Sequence, residues 1–257
     1  MLLQVSNISK NFGGVQATKD FSVTVDKGEI VGIIGPNGAG KTTIFNVISG
    51  VYTADEGSIL LSGQNVTKLP QHEITKMGIG RTFQNIRLFK GLSIIENVMC
   101  AFDPQSKYSF IGSIIPTPKR KAEEKRGKEL CEHYLEIVGL KDYINEAPEN
   151  LAYGYQRRLE IARALMCNPK VLLLDEPAAG LNPTEVGELT ELILKLSKDF
   201  GFATMLIEHR LELVMGISHK IVVQNFGKTI GVGTPKEVQN NPAVIEAYLG
   251  AEEEDNA

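Results

Sequence analysis

The chain has 257 residues, 42% hydrophobic and 23% charged, so it is long enough for one large α/β domain or two small ones and is not disordered in composition. Its net charge of -4 gives no overall basic excess, which argues against nucleic acid or an anionic membrane surface as a partner. No apolar run reaches the roughly 18 residues of a membrane span, and no export leader precedes the first strand. Three widely spaced cysteines fit neither a disulfide framework nor a zinc site, so we expect a globular, intracellular protein.

The first part of the chain alternates between predicted strands and one helix. Apolar residues alternate with polar ones near residues 3–5 and 21–25, as in a sheet with one buried face. Residues 29–34 form a continuous apolar run, which is typical of a strand buried on both faces. A glycine-rich turn then leads to a predicted helix over residues 41–49, and residues 58–61 predict a further strand.

The middle of the chain has a different character. Residues 102–118 are irregular and contain three prolines, whereas residues 121–138 place Leu130, Tyr134 and Leu135 on one face of a predicted helix. This pattern indicates a mostly helical insertion at about residues 85–165 within an α/β core.

The α/β pattern resumes after the insertion. Apolar strands are predicted at residues 171–174 and 203–207, and each follows a helix-like segment, which implies parallel crossover connections. Residues 220–223 and 228–232 predict a closing hairpin, and the acidic end at residues 252–255 predicts a solvated tail.

A phosphate-binding motif lies between the apolar strand and the first helix. Residues 35–43 read G-P-N-G-A-G-K-T-T and satisfy G-x-x-x-x-G-K-[ST] in the required strand–loop–helix context. Glycines let the backbone wrap a phosphate with its N–H groups inward, and the helix N-terminus attracts anions. Lys41 can bridge the β- and γ-phosphates, and the Thr42 hydroxyl can ligate Mg²⁺. The predicted nucleotide-binding loop consists of Gly35, Pro36, Asn37, Gly38, Ala39, Gly40, Lys41, Thr42 and Thr43.

A pair of acidic residues ends the strand predicted at residues 171–174. Asp175 can hold Mg²⁺ through water, and Glu176 stands where a carboxylate can orient and deprotonate an attacking water. The guanine-reading motif N-K-x-D is absent from the sequence, so ATP is favoured over GTP and a small GTPase is disfavoured.

Taken together, these motifs resemble the ATP-binding cassette (ABC) ATPases over essentially residues 1–250. Residues 81–84, R-T-F-Q, are similar to the family's Q-loop, and residues 207–209, I-E-H, to its switch-histidine motif. The resemblance implies that Gln84 ligates the metal and senses the γ-phosphate, and that His209 aligns the attacking water. It also implies that Phe12 stacks on adenine, with catalysis assigned to Glu176, His209, Gln84 and Lys41.

The signature segment of the family is altered in this chain. Residues 151–155 read L-A-Y-G-Y where the family has L-S-G-G-Q, while the following helix matches closely and fixes the register. In the family this segment caps the ATP of the opposite subunit, which implies that Ala152, Tyr153 and Gly154 act in trans. Ala152 lacks the serine hydroxyl and Tyr153 is bulky, so we expect a weak ATP-bridged dimer. The later G-L-N at residues 180–182 has Asn where Asp is commoner.

Further stretches resemble the ATP-binding subunits of branched-chain amino acid importers. They are residues 79–89, the irregular segment that follows residues 96–98, the altered signature with its helix, and the ending N-P-A-V-I-E-A-Y-L-G at residues 241–250. This resemblance implies ATP and Mg²⁺ as ligands and a peripheral position on the cytoplasmic face of the cell membrane. It implies a second ATPase subunit, homologous or identical, in a head-to-tail dimer, two permease subunits, and an external substrate-binding protein that acts indirectly.

The apolar residues after the Q-loop allow two interpretations. Ile86, Leu88, Phe89 and Ile94 lie where the family receives its permease subunits, but they can equally pack the core of the insertion itself. Two alternative functions also stay open, an ATPase of a urea or amide importer and one of a lipopolysaccharide exporter. A soluble ABC ATPase of DNA repair or translation would carry a long coiled coil or a second cassette, and the sequence contains neither.

The fold that the resemblance implies is a P-loop NTPase cassette of the α/β class. It has a mostly parallel core sheet, an N-terminal antiparallel β region and a helical subdomain. We expect residues 1–84 to form the first part of the ATP-binding core and residues 85–165 the helical subdomain with the signature segment. Residues 166–250 would then complete the core, and residues 251–257 would be a mobile acidic tail.

Overall fold

The computed structural model describes residues 1–102 and 118–254, with side chains described up to residue 248. Residues 103–117, which include nearly all of the segment expected to be irregular, lie outside the described residues. The chain folds as two compact units. One combines Met1–Gln84 with the chain from Lys170 onward, and the other is Asn85–Pro169. The second unit therefore extends to Pro169, whereas the expected helical subdomain ended at residue 165.

The elements follow one another in the order that the sequence pattern suggests. The strands are β1 (Leu3–Phe12), β2 (Val15–Val25), β3 (Ile30–Ile34), β4 (Glu56–Leu61), β5 (Gln64–Asn65), β6 (Ile79–Arg81), β7 (Val171–Asp175), β8 (Ala203–Ile207), β9 (Lys220–Asn225) and β10 (Lys228–Gly233). The helices are α1 (Lys41–Ile48), α2 (Gln71–Met77), α3 (Ile94–Met99), α4 (Pro118–Ile137), α5 (Tyr153–Met166), α6 (Pro183–Phe200), α7 (Leu211–Ile217), α8 (Pro235–Gln239) and α9 (Pro242–Glu254).

An antiparallel sheet in the order β2-β1-β4-β5 occupies the N-terminal part of the first unit. Leu3 pairs with Val25 and Val5 with Val23, and these four side chains are buried, since alternate residues of a strand point to the same face. The strands expected from the alternation at residues 3–25 are present, and the N-terminal antiparallel β region that the family resemblance implies is confirmed.

A second sheet, in the order β10-β9-β3-β8-β7-β6, forms the centre of the first unit. All its neighbouring pairs are parallel except the β9–β10 hairpin. Each residue of β3 and β7 is buried, which explains why both strands appear in the sequence as unbroken apolar runs. The mostly parallel core sheet and the closing hairpin are confirmed.

The helix after β3 is anchored by one apolar face. Ile44, Phe45, Val47 and Ile48 of α1 are buried in the main hydrophobic core. Gly50 follows the helix with a left-handed backbone, a common way for a helix to end. This helix holds the loop before it in a fixed position.

The second unit is helical in its described residues. Leu135 of α4, Ile94 of α3 and Leu159 of α5 are fully buried within it. Arg157 and Glu160 form a buried ion pair at 2.8 Å between Nη1 and Oε2, and Glu160 also accepts a hydrogen bond from the Arg87 N–H at 3.2 Å.

The C-terminal end of the described chain is helical, and the mobility expected of residues 251–257 stays a prediction. Helix α9 continues to Glu254, into the segment expected to be a mobile tail, and residues 255–257 lie outside the described residues. Among the helices that the structure describes, none has the length and apolar character needed to cross a membrane.

Candidate active site

A cavity of about 570 Å³ opens where the parallel strands of the first unit end. Its volume lies in the range of small-ligand sites, and the carboxyl ends of parallel strands are where α/β proteins bind their ligands. The lining has three parts, which are loop residues 37–43, the polar side chains of Gln84, Glu176 and His209, and a rim of Val15, Gln16, Ala17 and Phe226.

The loop at residues 35–40 needs glycine for steric reasons at two positions. Gly35 has a φ of 151°, and a Cβ added there would lie 2.0 Å from the Gln224 carbonyl oxygen. Gly40, at a φ of 92°, would place a Cβ 2.1 Å from the Ala17 carbonyl oxygen. Because backbone of β9 and β2 approaches so closely, a side chain larger than that of glycine does not fit at these two positions.

Lys41 is held inside this loop. Its Nζ donates to the carbonyl oxygens of Gly35 at 2.7 Å and Pro36 at 2.8 Å, and the residue is only 5% exposed. Burial lowers the pKa of Lys41, while the nearby carboxylates of Glu176 and Asp175 act in the opposite direction. A buried ammonium group at the base of a glycine-rich loop is ready to pair with an anion such as a phosphate.

Glu176 is the centre of a polar triad at the cavity. Its Oε2 accepts from Gln84 Nε2 at 2.8 Å, and its Oε1 lies 2.9 Å from His209 Nε2. Glu176 has a positive φ of 47°, and its backbone N–H donates to Ile207 at the end of β8. Three separate chain segments thus bring together the residues that the sequence proposed for sensing, proton transfer and water alignment.

Asp175 lies behind this triad and is 1% exposed. Its Oδ2 is 2.8 Å from Nη2 of Arg81, whose Nη1 also donates to Asn46 and to Ser49 of the segment that ends α1. Arg81 therefore links the end of β7 to the helix that carries Lys41. In the sequence, Arg81 stood out only as part of the Q-loop motif and had no role of its own.

A metal ion is the other ligand expected here. Thr42 is exposed and lines the cavity together with Gln84, and Asp175 lies one residue before Glu176. A hydroxyl, an amide oxygen and a carboxylate are hard oxygen donors of the kind that Mg²⁺ accepts, with water completing its coordination. In the part of the chain that the structure describes, no group of three or more His, Cys, Asp and Glu side chains is arranged to hold a metal ion.

A second buried carboxylate, Glu208, organises the loops around the triad. Its Oε1 accepts from the Ala178 N–H at 2.6 Å, and its Oε2 accepts from the His209 N–H at 3.0 Å. Burial raises the pKa of Glu208, and the backbone donors counteract that rise. Sequence reasoning gave Glu208 no role; an acidic residue directly after an apolar strand was the signal that could have found it.

Phe12, the residue expected to stack on adenine, packs on a neighbour in this structure. Its ring is 5.0 Å from that of Tyr52 in an edge-on arrangement, and it is 43% exposed. Phe12 does not line the cavity, whereas Val15 and Phe226 do. The stacking role of Phe12 stays a prediction.

The altered signature segment lies in the second unit. Ala152 is the N-cap of α5 and offers no side-chain hydrogen bond to the helix, while Tyr153 and Gly154 begin the first turn. Tyr153 is 43% exposed, and its ring lies 5.8 Å from the Arg157 guanidinium. These residues stay predicted contacts for the nucleotide of another subunit.

A contact from the end of the chain reaches the start of the loop. Burial raises the pKa of the Tyr248 hydroxyl on α9 to about 12, while the nearby Gly35 backbone acts in the opposite direction. In the sequence, residues 241–250 indicated only the subgroup resemblance and gave no sign of this contact.

The site defines a P-loop nucleoside triphosphatase. Its three parts are a glycine-rich loop after a central parallel strand, a lysine within that loop, and an acidic pair at the end of a nearby strand. The comparisons with known proteins narrow this class. A family model described as ABC transporter matches residues 18–179, and one described as Branched-chain amino acid ATP-binding cassette transporter matches residues 228–254. The chain belongs to the ATP-binding proteins of ABC transporters and is an ATPase.

Two curated relatives are 45% identical to the chain over 249 residues, covering 97% of it and 98% of each relative. They are BraF of Pseudomonas aeruginosa and LivG of Escherichia coli K12, both described as high-affinity branched-chain amino acid transport ATP-binding proteins. The lipopolysaccharide export ATP-binding protein LptB of Haemophilus influenzae is 34% identical over 97% of each chain. The ADP conformation of an ABC transporter cassette matches with a TM-score of 0.80 at 33% identity, covering 97% of this chain and 98% of that one. The predicted family and fold class are confirmed.

Proposed function

We propose that this chain is the ATP-hydrolysing subunit of an ABC importer for branched-chain amino acids. The observation that carries the catalytic part is the position of Glu176, whose carboxylate is held between Gln84 and His209 at a cavity lined by the phosphate-binding loop. The transported substrate is supported by the 45% identity with BraF and LivG over nearly the whole chain.

ATP binding begins at the loop. Lys41 exchanges its two carbonyl partners for the β- and γ-phosphate oxygens, and the backbone N–H groups of residues 38–42 turn towards the same charge. Thr42, Gln84 and, through water, Asp175 would hold Mg²⁺, which neutralises charge on the phosphates when it is bound. The ion pair with Arg81 holds the Asp175 carboxylate in position.

Hydrolysis requires Glu176 to accept a proton from the attacking water. Both of its oxygens are now engaged, one by Gln84 and the other by His209. Each carboxylate oxygen has two lone pairs, so Glu176 can accept a proton from water while Gln84 and His209 orient its side chain. Gln84 donates to Glu176 through its amide nitrogen, and its amide oxygen is the atom that would ligate Mg²⁺.

Coupling to transport requires partners. In this proposal a second ATPase subunit, identical or homologous, joins head to tail and offers its Ala152–Gly154 segment to the ATP, and closure of the pair moves two permease subunits. Of the apolar residues after the Q-loop, Ile94 is fully buried in its own unit, whereas Phe89 is 48% exposed and lies beside Arg163. Phe89 is thus the better candidate for permease contact, and the chain would lie peripherally on the cytoplasmic face, reached only indirectly by an external binding protein.

The experiment that tests this proposal uses two variants of the full chain. Lys41→Ala should lose ATP binding, because it removes the buried cation of the loop. Glu176→Gln should bind ATP as tightly as the wild type and hydrolyse it at least about 100-fold more slowly, because an amide keeps the shape of the side chain but takes no proton. Rapid turnover by Glu176→Gln would exclude Glu176 as the base.

The substrate is tested with the permease chains that copurify with this subunit. Reconstituted in vesicles with a binding protein, the assembly should take up leucine in an ATP-dependent manner, and unlabelled isoleucine or valine should compete. Uptake of urea instead, or movement of lipopolysaccharide, would replace the importer assignment with one of the two alternatives.

A further inference from the structure

The rim of the active-site cavity carries unusually exposed apolar side chains. Among the described large hydrophobic residues, Phe226 is 77% exposed and Val15 is 68% exposed, and both line the cavity. Exposing a phenylalanine side chain to water forfeits about 1.5–3 kcal/mol of burial. Such residues on the edge of a cavity indicate a ligand or partner that covers them.

The backbone holds Phe226 in this exposed position. It sits at the turn of the β9–β10 hairpin with a φ of 44°, a conformation that bulky L-residues rarely adopt. Gly227, the next residue, is held by two backbone hydrogen bonds. The Lys19 N–H donates to the Gly227 carbonyl at 2.7 Å, and the Gly227 N–H donates to the Ala39 carbonyl in the loop at 3.2 Å. The hairpin turn is therefore fixed to β2 and to the phosphate-binding loop, and it presents the ring at a set place.

The cavity lining leaves one place for a nucleobase. Residues 37–43 are assigned to phosphate binding, and Gln84, Glu176 and His209 are assigned to hydrolysis. The rest of the cavity lining consists of Val15, Gln16, Ala17 and Phe226. An aromatic ring and a valine side chain form an apolar surface of the kind on which the flat face of a base rests.

We infer that Phe226 is a base-contacting residue of the nucleotide site and packs its ring against the purine of the bound nucleotide. This inference rests on the proposed ATP-binding function. It differs from the stacking expected for Phe12, because it places the contact on the hairpin that is clamped to the loop. A base bound at Phe226 would therefore contact a hairpin that is hydrogen-bonded to the phosphate-binding loop, through the Gly227 N–H and the Ala39 carbonyl.

The first test compares two ligands by calorimetry on the full chain. Phe226→Ala should weaken the affinity for ATP by about 5- to 100-fold, the range for losing one base–aromatic contact. It should leave the affinity for inorganic tripolyphosphate unchanged, because that ligand has no base. Phe226→Tyr, which keeps the ring, should bind ATP like the wild type.

Two further variants serve as controls. Val232→Ala removes another exposed apolar side chain, 56% exposed, from the same hairpin and should change neither affinity. Phe12→Ala measures the separate prediction for Phe12. If Phe12→Ala weakens ATP binding while Phe226→Ala does not, the inference is wrong. Equal weakening of ATP and tripolyphosphate by Phe226→Ala would also overturn it, since the hairpin would then act on the loop and not on the base.

The second test uses the fact that the chain contains no tryptophan. Phe226→Trp introduces a single indole, whose fluorescence should be quenched and shifted by ATP or ADP and be unaffected by tripolyphosphate. An indole that does not respond, in a variant that binds ATP normally by calorimetry, would contradict the inference. If the wild-type chain does not bind ATP, the proposed function itself is wrong. Calorimetry on the wild type distinguishes that outcome from a failure of the inference about Phe226.

Discussion

The pair of Arg81 and Asp175 shows how one buried contact supports the site. Both side chains are nearly inaccessible, at 5% and 1% exposure, so the loss of one leaves the charge of the other poorly hydrated. Removing one partner of such a pair leaves an uncompensated charge in a low-dielectric environment, at a cost of about 3–5 kcal/mol.

We therefore expect Arg81→Met to lower the free energy of unfolding of the first unit by about 3–5 kcal/mol. Denaturation followed by circular dichroism, with and without ATP, measures this change. Lys198→Met removes a cation from an exposed position of α6 and should change stability by less than about 0.5 kcal/mol. An equal effect of both variants would mean that the buried pair has no special importance.

The glycines of the loop differ in what they require. Gly35→Ala should lose both nucleotide binding and stability, because its Cβ would lie 2.0 Å from a backbone oxygen that cannot move aside. Gly38→Ala should lower the free energy of unfolding by only about 1–2 kcal/mol. A φ of 76° is unfavourable for alanine, but no atom lies within 4 Å of the added Cβ. Thermal unfolding and ATP affinity measure both, and similar losses in the two variants would contradict the steric argument.

The loop and the acidic pair were predicted from residue patterns at the ends of apolar strands, whereas Gln84 and His209 were predicted because their motifs resemble those of the family. Arg81, Glu208 and Phe226 were not found in this way. Their roles depend on partners far along the chain, such as Asp175 for Arg81 and Ala178 for Glu208. Local spacing carries no information on which strands become neighbours, so these contacts required the structure.

At the scale of elements, the start of α6 explains the asparagine noted in the sequence. Asn182 Oδ1 accepts from the Glu185 N–H at 3.0 Å, and Glu185 Oε2 accepts from the Asn182 N–H at 2.9 Å. This is a capping box, with Pro183 in the first turn, and asparagine serves it about as well as aspartate.

Asn182→Ala should therefore destabilise the protein by about 0.5–2 kcal/mol, while Asn182→Asp should be neutral or slightly stabilising. Chemical denaturation measures both changes. Alanine and aspartate with the same stability would show that the cap does not contribute. ATPase activity measured in parallel separates this structural role from any role in turnover.

Elements were predicted well where one periodicity dominates, and less well at their ends. Helix α4 was expected over residues 121–138 and is found at Pro118–Ile137, and β4 begins two residues before the expected strand. Terminal residues gain little from core packing, so their state depends on neighbours that the local pattern does not show.

At the scale of the whole molecule, the altered signature predicts a weak ATP-dependent dimer. Ala152→Ser should increase the dimer association constant about 10- to 100-fold, since a hydroxyl that donates to a phosphate contributes roughly 1.5–3 kcal/mol. Sedimentation in the Glu176→Gln background with ATP measures the dimer fraction.

Because Ala152 is also the N-cap of α5, a serine there can stabilise its own helix by about 0.5–2 kcal/mol. Monomer stability measured without nucleotide provides the control. A more stable monomer with an unchanged dimer constant would show that the hydroxyl serves the helix alone and that Tyr153, or the need for a different partner subunit, limits closure.

The order of the central sheet has a consequence for how the protein is made. Ile30 of β3 pairs with Thr204 of β8, and Val31 pairs with Lys220 of β9, so the strand that carries the loop has no partner until residues near 204 exist and a second one only after residue 220. At a synthesis rate of about 5–20 residues per second, that delay is on the order of 10–40 s. During this time the apolar strand emerges from the ribosome without a sheet to join, and it is a natural binding segment for chaperones. Nucleotide cannot aid folding early, because the cavity that would hold it is completed only by the last quarter of the chain.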